Sequence, residues 1–256
     1  MITLALFRFK LLLKQKLGWG IVAAALAFFP FALFLAFSSY VRPDKIYWDL
    51  SLSFCFLVLI LLSTYLGSHL FQEEIQRKTL SFVLTLKHSR SEWIFSNWLG
   101  ISLMLSFSLT VWTLLLTVGS LTTASTFPPF VLIQAQLFLL LESVVVLALS
   151  FLVSLYLKPL LTWFAVLALI ALLHSKSYLE VLVIEAGFTG ATKLIYNAVL
   201  FVLNFLPPLE WWDIKVFVGF HDPFSLNQVL LVIGLTAAWS YIFLFFAQRK
   251  MESMDL

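Results

Sequence analysis

The chain is dominated by apolar runs about 20 residues long, repeated along its length and separated by short polar connections. A run of that length matches a helix crossing a hydrocarbon layer about 30 Å thick, and inside such a layer only helices or closed barrels satisfy their own backbone polar groups. The residue-by-residue alternation of a membrane barrel is absent from these runs. Apolar residues make up 62% of the chain, charged residues only 11%, and the mean hydropathy is +1.01. A water-soluble domain is excluded, because its apolar surface would exceed what one core can hide. The expected class is an all-α integral membrane protein, with one transmembrane domain over residues 1–256.

Six spans are expected, at 17–40, 50–71, 93–121, 129–157, 160–174 and 226–247. Ahead of them, residues 1–16 interleave Arg8, Lys10, Lys14 and Lys16 with Leu4, Leu6, Phe7 and Leu11. That pattern fits an amphipathic helix lying in the membrane surface, its charges on anionic head groups. No small-residue cleavage site closes the first run, so it reads as an uncleaved span. Pro129 and Pro159 fall where new helices begin, since the first helical position needs no N–H partner. All but five of the 16 lysines and arginines lie on the side of the termini, the exceptions being Arg42, Lys45, Lys176, Lys193 and Lys215. The positive-inside bias then places both termini in the cytoplasm.

Residues 175–225 form an outer loop. Within it, 193–206 is an apolar stretch carrying Asn197 and Asn204, too short to cross and too apolar for a free loop. A re-entrant or interfacial helix before the last span is expected, with a plain cap on the bundle or a full seventh span as competing readings. Trp211 and Trp212 suit the head-group level.

One polar island, Gln72–Glu92, interrupts the apolar pattern. Glu73 with Arg77 and Glu74 with Lys78 are i,i+4 pairs in the favourable orientation. Ile75, Thr79, Phe82, Val83 and Leu86 line one face of a short helix. Ser89 and Glu92 have capping-box spacing directly before Trp93. A short, rigid cytoplasmic helix between the second and third spans is expected; a solvated connector is the alternative.

The run Glu74, Lys78-Thr79-Leu80, Val83-Leu84, Ser89-Arg90 and Glu92 resembles the cytoplasmic loop of type-2 ATP-binding-cassette permeases. The layout of six spans, basic N-terminal helix, outer re-entrant stretch and short basic tail is similar to that family too. Lys78 stands where a glycine is common there, Lys87 where a proline is common and Asn97 where a lysine is common. The resemblance implies a permease subunit, expected to be an exporter in a bacterial inner membrane. Its partners would be a separate ATPase subunit, which binds ATP and Mg, a second permease chain, identical or not, and the lipid bilayer, with no nucleic acid. It also implies that Glu73, Glu74, Arg77, Lys78, Thr79, Leu80, Val83, Leu84 and Lys87 receive the push of the ATPase.

Other residues bear on this reading. Glu142 lies deep in the fourth run, where an ionised side chain costs about 2.5–3.5 kcal/mol on insertion scales. It is a candidate for the translocation path with Asn197 and Asn204, or else a helix-to-helix hydrogen bond to Ser106, Ser108 or Thr110. Gly187 to Lys193 lacks the spacing of a phosphate loop, so no ATP hydrolysis by that route is expected in this chain. His69, His88, His174 and His221 share no ligand spacing, Cys55 stands alone, and no metal site is expected. An integral membrane enzyme acting on lipid-linked substrates would need convergent catalytic groups such as His-Glu-x-x-His or Gly-x-Ser-x-Gly, which are absent. That class and a non-transporting assembly protein are the alternatives to a transporter.

Overall fold

A computed structural model describes residues 1–14, 16–38, 43–70, 72–73, 89–122, 129–185, 190–212 and 223–253. Its longer helices are α1 (Ile2–Lys14), α2 (Lys16–Ser38), α3 (Pro43–Tyr65), α4 (Arg90–Thr122), α5 (Pro129–Ser154), α6 (Pro159–His174), α7 (Lys176–Glu185), α8 (Gly190–Asn204) and α9 (Leu226–Glu252). There is no strand among the described residues. Five helices, α2 to α5 and α9, are long and apolar enough to cross a membrane. The chain is therefore an integral membrane protein by length and composition of its helices.

The expected 160–174 span is a helix of 16 residues, α6, which rises only about 24 Å. The stretch expected at 193–206 is helical as α8, Gly190–Asn204. Within the second span expected at 50–71, the helix widens after Tyr65 into a π turn at Leu66–Leu70. A Cβ at Gly67 would lie 2.6 Å from Ser150 Cβ, so glycine lets this turn settle onto α5.

Side-chain chemistry shows which helix ends lie together. Ser96 Oγ donates to the Met1 carbonyl at 3.1 Å, and α1 lies along the start of α4. Gly100 permits that approach, since a Cβ there would sit 2.7 Å from the Ala5 carbonyl oxygen. Arg90 Nη1 donates to the carbonyls of Met251 at 2.6 Å and Glu252 at 3.2 Å, completing the end of α9. The Lys250 ammonium stands 5.1 Å from the centre of the Tyr156 ring, just past α5. Both termini thus sit at one end of the bundle, with the start of α4 and the end of α5.

At the opposite end, Gln134 on α5 grips Phe224 twice, accepting from its N–H at 2.9 Å and donating to its carbonyl at 3.0 Å. Trp211 is half exposed, as a head-group ring should be, but Trp212 is fully buried and its Nε1–H donates to Thr236 Oγ1 at 3.0 Å. Trp212 is therefore a packing residue of α9, contrary to the expectation from its neighbour. The core between the ends is aromatic: Phe28 and Phe54 stack at 3.8 Å between ring centres, and Trp112 is completely enclosed.

Candidate functional site

α5 is the axis of the bundle. Two thirds (67%) of its apolar window is buried, against 28% for α2 and for α9. On this helix Glu142 is fully enclosed, and its Oε1 lies 2.6 Å from His174 Nε2 at the end of α6. The distance is that of a short hydrogen bond. The partner differs from expectation: the hydroxyls of Ser106, Ser108 and Thr110 donate instead to carbonyls of their own helix, at Ser102, Met104 and Ser106. Such back-bonding satisfies a hydroxyl locally and leaves it no need of Glu142.

His174 occupies the last turn of α6, and the Glu142 side chain lies beside it. Phe56 on α3 meets the ring edge-on at 5.3 Å. The imidazole is only 17% exposed, and that exposed part borders a groove between α3 and α6. No sequence spacing joins positions 142 and 174; what brings them together is the reversal of the chain at Leu155–Lys158. A buried acid paired to a histidine across two helices can hold a proton, fix helix register, or orient a polar ligand group.

Asn197 and Asn204 are both exposed on α8, which packs on α7, whereas Glu142 is enclosed on α5. These three path candidates therefore do not form one lining. A further buried amide, Gln136 on α5, was not singled out by sequence; it faces the Cys55 thiol, a weak hydrogen-bonding group, and makes no conventional hydrogen bond to nitrogen or oxygen. Its only sequence signal is being polar within an apolar run.

Of the coupling residues, Glu73 is described and the rest, Glu74, Arg77, Lys78, Thr79, Leu80, Val83, Leu84 and Lys87, lie outside the described residues. Glu73 carries an ion-pair contact of 3.8 Å to His69, which itself stacks on Tyr65. Both shoulders of the island are fastened. Gln72 Nε2 donates to the carbonyls of Ser154 and Leu157, capping the end of α5. Ser89 and Glu92 form the expected capping box, with Glu92 N–H donating to Ser89 Oγ at 3.1 Å and Ser89 N–H to Glu92 Oε2 at 3.4 Å. Arg90 then ties the start of α4 to the end of α9. No cluster of three or more metal-ligating side chains occurs among the described residues.

The chain matches no protein-family model and no curated protein.

Proposed function

We propose that the chain is the membrane subunit of an ATP-driven transporter of the type-2 ATP-binding-cassette kind, working as an exporter beside a separate ATPase and a second permease chain. One observation carries the reading: the residues on either side of 74–88 are fastened, Gln72 to the end of α5 and Arg90 to the end of α9. A displacement of this segment by a closing ATPase would be delivered to the axial helix that bears Glu142 and to the last helix. The resemblance of Glu74 to Glu92 to permease coupling loops supports the same role. In this reading the termini face the cytoplasm and the pair Glu142 with His174 lies within the moving part.

The test is reconstitution of the full chain with the ATPase that co-purifies with it. Leu80→Asp with Val83→Asp is expected to leave the protein inserted and the ATPase active, while transport is lost. Recovery of no ATPase subunit in a pull-down, or transport unchanged by the double substitution, would remove the proposal.

A further inference from the structure

At the end of the bundle that carries the termini, two lysines stand where apolar crossing helices finish: Lys250 in the last turn of α9, and Lys158 just past α5. Neither takes part in an ion pair among the described residues. The acids at this end are engaged elsewhere: Glu252 accepts from Gln248 at 2.8 Å and faces Arg249 at 3.9 Å, Glu92 closes its capping box, and Glu73 faces His69. Lys250 lies instead over Tyr156, its ammonium 5.1 Å from the centre of a ring that is 63% exposed. Toward the membrane interior the adjoining surface is apolar, with Leu160 and Leu161 exposed on α6 and Phe246 on α9. We propose that Lys158, Lys250 and Tyr156 form a site for the head group of an anionic phospholipid, its phosphate drawn to the two ammonium groups and its tails lying along the exposed start of α6.

Charge selects the head group. A zwitterionic head brings its own cation and gains little from two uncompensated lysines, whereas an anionic one is favoured by such a pair on the order of tenfold. Position selects a lipid over a dissolved anion. Two crossing helices end here, an exposed tyrosine suits the head-group level, and a lysine whose stem lies on that ring carries its ammonium to the polar layer. A dissolved anion would use the ammonium groups and leave the apolar surface beside them unused. The two lysines are also held in place by separate fastenings. The turn leading to Lys158 is pinned by Gln72, which donates to the carbonyls of Ser154 and Leu157, and the Lys158 carbonyl accepts from the Thr162 N–H at 2.9 Å. The last turn of α9, which bears Lys250, is pinned by Arg90 on the Met251 carbonyl. Holding both cations before a lipid arrives lowers the cost of ordering them on binding.

The site is tested on the full chain in phosphatidylcholine nanodiscs containing a small share of phosphatidylglycerol with a photoactivatable diazirine on its head group. Adducts are expected to concentrate at 156–161 and 246–250, and added phosphatidylglycerol should displace the probe where added phosphatidylcholine does not. Lys158→Gln with Lys250→Gln should lower these adducts several-fold, and Lys158→Arg with Lys250→Arg should keep them. Lys45→Gln with Lys176→Gln, the same change of charge away from this end, should leave them unchanged. Adducts indifferent to the Lys158 and Lys250 glutamine pair, or displaced equally by phosphatidylcholine, would mean ordinary boundary lipid and overturn the site. Displacement by inorganic phosphate as effective as by phosphatidylglycerol would mean a site for free anions and overturn it too. The experiment uses neither nucleotide nor ATPase, so its outcome is independent of the proposed coupling to ATP.

Discussion

At the level of single residues, the buried polar groups divide into those that have found partners and those that have not, and the two sorts respond oppositely to removal. Taking away one member of a buried hydrogen-bonded pair leaves the other stranded, whereas removing both together is close to neutral. His174→Ala is therefore expected to destabilise the chain by about 2–4 kcal/mol, and Glu142→Leu with His174→Leu by clearly less than that single change. Thermal unfolding in detergent checks the order; a double variant less stable than His174→Ala would show that the pair is net stabilising. Gln136 is the converse, an enclosed amide set against the weakly hydrogen-bonding Cys55 thiol. Gln136→Leu should raise stability by about 1–2 kcal/mol, the desolvation cost of the unmade bonds. The presence of Glu142 in an apolar run announced that it needed a partner, but its identity depended on how two helices meet. Local back-bonding had already claimed the hydroxyls nearest to hand in sequence logic.

Helix beginnings were legible because their chemistry is local. Ser89 and Glu92 close the capping box that starts α4, and Pro129 and Pro159 open α5 and α6. Ser225 with Gln228 forms a second complete box at the start of α9. Fastenings between elements were not legible, since Gln72 reaches carbonyls 82 and 85 positions away and Arg90 reaches 161 and 162. Those two side chains hold the ends of α5 and α9 in register with the shoulders of the island. Gln72→Leu should uncap α5, and amide exchange over 150–157 is expected to accelerate several-fold with little change at 248–252. Arg90→Leu should do the reverse, because its bonds serve the last turn of α9. Each lost bond is worth about 1–3 kcal/mol, the larger figure applying to the charged donor. Equal acceleration of both regions by either variant would mean that the ends move as one unit and are not separately fastened.

For the molecule as a whole, the decisive constraint is where chain ends meet. α2 leaves the end that carries the termini, α3 returns to it, α4 leaves again and α5 returns, as the contacts of Tyr47 with Leu116, of Gln72 with Ser154 and of Arg90 with Met251 require. α9 also ends there, yet it starts at the opposite end, beside Gln134. Between Ser154 and Phe224 the chain must therefore climb the full height of the bundle once more. α6 alone rises about 24 Å, so the remaining few ångströms of a layer about 30 Å thick fall to the residues after it. Six apolar runs are readable in the sequence, while among the described residues five helices are long enough to cross unaided. If the chain crosses a sixth time, as the proposed permease layout requires, α6 followed by α7 would be a broken passage, interrupted at Ser175 beside the Glu142 and His174 pair. Single cysteines in a Cys55→Ser background decide the matter: His88→Cys and Lys158→Cys are expected to take an impermeant maleimide from the cytoplasmic face, and Asp213→Cys from the other. Labelling of 158 and 213 from the same face would make the passage re-entrant, and would put α9 and the C-terminus in an orientation that the Arg90 to Met251 bond forbids.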